Sequence, residues 1–295
     1  MTLSVALAAA CGSDAPQLPD ASGGLTPVAT VDVRRQLFEL DESGSVVLEA
    51  LIAGEDTNPV IVLLPDRGLG AIDFLEFMPR LVDAGYRPVA LNPRGVEASE
   101  GPLDGLTLHD LAADVAGVIE NLDAGSVHVL GHGFGNRVAR CLAADRPDLV
   151  RSVILMAADG QVPGDGEAHS AMDRLFQPAR PESERLTDLQ TALFAPASDA
   201  SVWLDLVVWA DAQRAQDDAD RATPREEWLA GGTAPMLVIQ GRYDRLAPPA
   251  NGRWLRERLG ERVELVELAS SGHALFPEQP AEIIEAIRGF TGRLR

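Results

Sequence analysis

Five histidines, two cysteines and no lysine limit the chemistry open to this chain of 295 residues. All 25 basic residues are arginine, which excludes a Schiff base or a lysine nucleophile. Cys11 and Cys141 are too few for a disulfide scaffold or a cysteine-built zinc site. His109 and His169 have no partner at ligand spacing, so no metal is expected. His128 alternates with Val127 and Val129 and reads as a core histidine. Two histidines sit in glycine-rich surroundings: His132 in Gly131-His132-Gly133-Phe134-Gly135, and His273 in Ser271-Gly272-His273-Ala274. A third glycine-led segment runs from Gly241 through Asp244 to Pro248.

These segments need a frame. Strands are expected at about 31–40 and 45–53, joined by the turn residues Asp41-Glu42-Ser43-Gly44 as a hairpin. Val60–Leu64, Pro88–Leu91, Val127–Leu130, Val153–Met156 and Met236–Gln240 are apolar runs. Such runs suit strands buried on both faces of a parallel sheet. Helices are expected at about 73–84, 108–122, after Gly135 as far as Asp145, and 249–259. Thr107 with Asp110 forms the N-cap signal of the second. A strand at 263–268 precedes a last helix that buries Ile283, Ile287 and Phe290. Strands alternating with helices imply right-handed crossovers. Residues 159–232 break the pattern, with helical stretches such as 201–216 and with Trp203, Trp209 and Trp228. This segment reads as a helical cap over the strands' C-terminal ends, where ligands bind in open α/β sheets. One of Trp203 and Trp209 is expected on the sheet domain and the other inside the cap.

Hydrophobic residues at 46% and charged residues at 24% exclude a disordered or collagen-like chain. A net charge of −20 without a basic stripe argues against nucleic acid as a partner. Residues 2–10, TLSVALAAA, are too short for the ~20-residue membrane span. They read as the apolar part of a secretory signal. Cys11-Gly12-Ser13-Asp14 resembles the start of a mature bacterial lipoprotein. Cys11 would then carry lipid and attach the chain to a membrane of the cell envelope; a secreted protein, or a cytoplasmic one with a plain tail, is the alternative. The division expected is 1–27 signal and linker, 28–158 with 233–295 as the core, and 159–232 as the cap. A small molecule is the expected partner, with no protein partner and no cofactor.

Together the three glycine-led segments resemble those of the α/β-hydrolase fold superfamily. Gly131 to Gly135 matches the G-x-S-x-G nucleophile elbow between a strand and a helix. Gly241-Arg242-Tyr243-Asp244-Arg245-Leu246-Ala247-Pro248 looks like the segment that carries the triad acid. The loop around His273, followed by Pro277-Glu278-Gln279-Pro280, looks like the triad histidine loop. Asn92-Pro93-Arg94-Gly95 through Ser99 matches a further loop of the family, in which the serine is structural. The resemblance covers roughly residues 31–158 and 233–295. It implies a mostly parallel twisted sheet flanked by helices, with the cap inserted between strands. It also implies a His273–Asp244 dyad and an oxyanion hole formed by the backbone N–H groups of Arg67 and Phe134.

The departure is at the centre. The elbow residue is Gly133, which has no atom to attack a carbonyl or hold an acyl group. Glycine does adopt the strained elbow backbone freely. Pro65-Asp66-Arg67-Gly68 stands where relatives often have His-Gly. Asp66 is unfavourable near a developing oxyanion unless it faces away. The Arg67 side chain could offset it or bind a substrate carboxylate. Cys141, about two helical turns beyond Gly133, is too distant to replace the missing side chain. Asn136 is expected to cap the helix or contact ligand, and His132 to pack.

Two functions follow from this reading. In the first, His273 oriented by Asp244 activates water or abstracts a substrate proton without a covalent intermediate. The Arg67 and Phe134 amides then hold the resulting anion as an ester, lactone or similar carbonyl compound is processed. In the second, the chain is an inactive pseudo-hydrolase that binds a small molecule. Restoring serine at position 133 is expected to produce ester hydrolysis.

Overall fold

The computed structural model describes residues 31–41, 44–177 and 180–294. The expected secretory signal, the expected lipid attachment at Cys11 and the whole of the expected linker lie outside them. No helix among the described residues is long and apolar enough to cross a membrane.

Eight strands form one sheet in the order β1-β2-β4-β3-β5-β6-β7-β8. β1 (Arg34–Glu39) and β2 (Val47–Ile52) are the antiparallel hairpin expected from the turn residues. β2 is also antiparallel to β4 (Arg87–Leu91). β3 (Val60–Leu64), β4, β5 (Val127–His132), β6 (Val150–Met156), β7 (Met236–Gly241) and β8 (Val263–Leu268) run parallel.

The apolar runs are buried on both faces, as a parallel sheet demands. In β3, Val60, Val62 and Leu64 enter one core layer while Ile61 and Leu63 enter the other. The first layer packs α2 (Leu108–Asn121) and α3 (Gly135–Asp145) on the sheet. The second packs α1 (Met78–Asp83) and the C-terminal α9 (Pro280–Gly292), with Ile283, Ile287 and Phe290 buried. Thr107 caps α2: its side chain accepts from the Asp110 N–H, and Asp110 returns the bond to the Thr107 N–H. α8 (Ala250–Leu259) joins β7 to β8.

Two expected helices are broken. The one at 73–84 divides into a 3-10 turn, Ala71–Phe74, and α1. The 201–216 stretch divides into a 3-10 turn, Ala200–Trp203, and α6 (Ala210–Ala222). The second break has a tertiary cause. Trp209 is extended, and its N–H donates to the Gly68 carbonyl at 2.9 Å, so it cannot continue a helix from residue 203.

Between β6 and β7 the chain also forms α4 (Gly166–Leu175), α5 (Glu182–Ala192) and α7 (Arg225–Trp228). Trp228 fastens this insertion to α3. Its ring lies 4.5 Å from the guanidinium of the fully buried Arg140 and 5.5 Å from that of Arg137. The indole N–H has no acceptor. Trp228→Ala should therefore cost about 3–5 kcal/mol in denaturant unfolding. Trp228→Phe should cost far less, because it keeps a ring face for Arg140 and removes the unpaired donor.

Candidate active site

β5 ends at His132, and the chain turns sharply into α3 through Gly133, whose φ is +49°. Glycine adopts that left-handed backbone without penalty. Its neighbour Gly135 is required for space, since a Cβ there would lie 2.3 Å from the Leu64 carbonyl oxygen. The turn thus brings α3 against the end of β3. The loops after β3, β5, β7 and β8 meet there.

His273 and Asp244 come together as the sequence implied. The imidazole Nδ1 lies 3.0 and 3.1 Å from the two Asp244 carboxylate oxygens. Asp244 is fixed in turn by the N–H groups of Leu246 and Ala247, at 3.0 and 2.7 Å. The His132 Nε2–H donates to the His273 carbonyl at 2.8 Å and holds that loop. Burial and the nearby His273 charge push the His132 pKa down to about 4, so it is the neutral donor this bond needs.

The amides of Arg67 and Phe134 also converge, but their hole is filled. Asp66 turns inward and places Oδ1 between them, accepting from Phe134 N–H at 2.6 Å and Arg67 N–H at 2.7 Å. Its Oδ2 lies 3.1 Å from His273 Nε2. Asp66 thus does not face away, the condition under which its charge would be harmless beside an oxyanion. It is not a charge beside an oxyanion; it is the anion that the hole binds. Nor does the Arg67 guanidinium compensate it or stand free for a substrate carboxylate. That group pairs with Asp217 of α6 at 2.9 Å.

Asp66, His273 and Asp244 are all buried. Burial alone would raise the Asp66 pKa, but the hydrogen bond and charge of His273 outweigh it and hold the carboxyl far below its ordinary range. Burial likewise opposes charge on His273, yet Asp244 and Asp66 raise its pKa well above the usual imidazole value. The resting site is an imidazolium between two carboxylates.

A family model for the Alpha/beta hydrolase family matches residues 61–286. The chain belongs to that family. BpoC of Mycobacterium tuberculosis, named as a candidate non-heme bromoperoxidase, is 26% identical over 246 residues, covering 79% of this chain and 93% of that protein. Its crystal structure superimposes with a TM-score of 0.71 at 23% identity, covering 91% and 97% of the two chains. The rhodomycin D methylesterase DnrP of Streptomyces peucetius is 28% identical over 261 residues, covering 75% and 87%. The eight-stranded, mostly parallel sheet with flanking helices is the fold of these relatives, and hydrolysis is the chemistry named for DnrP.

The site leaves no room for a side chain at Gly133. A Cβ built there would lie 2.1 Å from Asp66 Oδ1 and 2.2 Å from its Cγ. Asp66 therefore uses the space that a side chain at the elbow would need. The residue-type signal for this was present in Pro65-Asp66-Arg67-Gly68, but nothing in the sequence gave the direction of the carboxylate.

Other candidates take structural roles. Ser99 Oγ donates to the Asn92 carbonyl and accepts from the Glu49 N–H. Asn136 neither caps α3 nor faces the site; its Nδ2 donates to the Ala157 carbonyl and its Oδ1 accepts from Arg140. His128 is satisfied by Ser152 at 2.7 Å. Trp203 packs on Phe194 and on Phe276, while Trp209 is tied to Gly68. His109, expected to stand alone, has partners. Its Nδ1 meets Asp145 at 2.7 Å and Cys141 at 3.4 Å, and its Nε2 meets Glu227 at 2.8 Å. Cys141 and Asp145 share α3, while His109 and Glu227 come from α2 and α7, so helix packing brings the four together.

A cleft of about 810 Å³ is lined by Asp73, Phe77, Trp203, Leu206, Phe276 and Glu278 among others; Asp66, His273 and Gly133 are not in its wall. Phe276 packs edge-on against His132, whose ring centroid is 5.0 Å from that of His273. Asp73 is pushed up to about 7, chiefly by burial and further by the charge of Asp66, against the Gly70 N–H that favours its ionised form.

The expectation that serine at 133 alone produces hydrolysis is revised. Gly133→Ser should destabilise, by about 1–3 kcal/mol for the left-handed backbone and about 1–3 kcal/mol for the overlap with Asp66. Adding Asp66→Gly should relieve the overlap, which a double-mutant cycle in denaturant would read as favourable coupling. Asp66→Asn should lower the His273 pKa, followed by imidazole NMR. Because that pKa is raised on folding, its stabilisation is complete below the unfolded value near 6.5 and lost as pH rises through the folded one. The stability advantage of the native protein over Asp66→Asn should therefore shrink at alkaline pH.

Proposed function

We propose that this protein is a hydrolase of small, largely apolar organic molecules, with Asp66, His273 and Asp244 as its working groups and no bond made at Gly133. One observation carries the reading. Two backbone N–H donors and an imidazole backed by a carboxylate all address the same point, the Asp66 carboxyl. A fixed donor pair and an oriented base are what hydrolysis of a carboxyl derivative requires.

An ester or lactone would reach the amide pair only after displacing Asp66 Oδ1. Direct action of His273 on water beside a bound carbonyl, as the sequence implied, thus first requires that displacement. The relatives named for methylester hydrolysis support the reaction class; the substrate of this chain is part of the proposal. Lipid attachment through Cys11 also remains a proposal.

Binding without turnover is the second reading. Its support is that the Asp66 carboxylate fills the hole and pairs with the His273 imidazolium, so the amide pair and the imidazole are already bonded within the protein.

The test is hydrolysis by the full chain of short-chain esters, lactones and alkyl electrophiles, followed by His273→Ala. Turnover that falls about 10²–10⁴-fold in His273→Ala is the expected result. Calorimetric binding of these compounds, with no turnover of any class, would favour the receptor.

A further inference from the structure

We infer that Asp66 is a nucleophile that forms an alkyl ester, and that the substrates are apolar molecules with a leaving group on a saturated carbon. The inference rests on the hydrolase reading above and names its substrate class.

The geometry identifies which carbon the protein is arranged to hydrolyse. In acyl transfer, the amide pair holds the oxygen of the carbonyl under attack, and the imidazole stands beside that carbonyl to move protons. Here the oxygen in the amide pair is Asp66 Oδ1, and the oxygen beside the imidazole is Asp66 Oδ2. The carbon between them is the protein's own Cγ. The apparatus is therefore set to cleave an ester of Asp66. Such an ester forms when a carboxylate displaces a leaving group from an alkyl carbon. Attack on an acyl carbon would instead give an anhydride.

The steps balance. Asp66 Oδ2 forms a bond to the alkyl carbon as the carbon–halogen bond breaks, and halide leaves with the electron pair. Esterification removes one of the two negative charges that keep His273 protonated, so the imidazolium releases its Nε2 proton to solvent. Neutral His273 then takes a proton from water as the water oxygen bonds to Cγ. The displaced π pair moves onto Oδ1, where the Arg67 and Phe134 N–H groups hold it. The tetrahedral species collapses by breaking the Cγ–Oδ2 bond. The departing alkoxide takes its proton from His273, and the new Asp66 carboxylic acid reprotonates the imidazole. The sum is alkyl halide plus water giving alcohol, halide and a proton. An epoxide follows the same route, its ring oxygen taking a proton from solvent.

The cleft that shares Phe276 with the packing around His132 bears on the uncharged character of the substrate. Among the described residues, four of the seven large exposed apolar side chains, Ile72, Leu75, Val202 and Val207, lie on this one cleft. Its charged residues are mostly acidic, with Asp73, Glu76, Asp205, Glu278 and Glu282 against the guanidinium of Arg80. The charged contacts at the site are made within the protein, since Arg67 is committed to Asp217. The lining of the cleft disfavours an anion and leaves apolar surface for an uncharged hydrocarbon chain with one electrophilic carbon.

The test uses 1-bromohexane and 1,2-epoxyhexane on the full chain. In His273→Gln, which cannot activate water, mass spectrometry should find a hexyl ester, or a hydroxyhexyl ester with the epoxide, on the peptide containing Asp66. Asp66→Asn should not be labelled there. A single turnover by the native protein in ¹⁸O-water should place the heavy oxygen in Asp66 and leave it out of the first alcohol formed. An unmodified Asp66 with both probes, in both the native protein and His273→Gln, would overturn the inference. So would turnover with ¹⁸O in the alcohol alone. Ester or lactone hydrolysis with no label at Asp66 would overturn the covalent role while leaving the hydrolase reading intact.

Discussion

One small volume governs this structure. Between the Arg67 and Phe134 amides and the His273 imidazole there is room for one group, and the Asp66 carboxylate has it. A side chain at Gly133 would have to share that space, which the approach of Asp66 to within 2.1 Å of a hypothetical Cβ forbids. The bare elbow and the inward aspartate are two sides of one packing constraint. The fold supplies the remainder: a left-handed turn at the end of β5, and loops from three other strands that close around it.

The electrostatics follow from that packing. A buried carboxylate without partners would take up a proton, and a buried imidazole would lose one. Placed together, each keeps the other ionised, with Asp244 and the two amides completing the balance. Such a cluster is stable only as a unit, since removing one member leaves another buried and charged. The same dependence makes His273 responsive to whatever happens at Asp66.

Much of the fold was legible in the sequence. Apolar runs such as Val60–Leu64 read directly as doubly buried strands, and Thr107 with Asp110 marked the start of α2, because those signals act over a few residues. The breaks at 75–77 and 204–209 were not legible. The second of these depends on Trp209 bonding to Gly68, a contact between distant segments. At the site, the pairing of His273 with Asp244 could be taken from motif order. The orientation of Asp66 could not, because it depends on the absence of a side chain 67 positions away. The grouping of His109 with Cys141, Asp145 and Glu227 was hidden for a similar reason, since helices α2, α3 and α7 have to pack before those residues meet.

The loop that carries Asp66 is also held from above. Gly68 donates to Gln216 and accepts from Trp209, while Arg67 is paired with Asp217. On the opposite side, the Ala274 N–H next to His273 donates to the Leu193 carbonyl. The inserted helices thus grip both reactive loops by their backbones. The geometry of the site therefore belongs to the insertion as much as to the sheet, and a transplanted insertion would arrive with its own placing of Asp66 and His273.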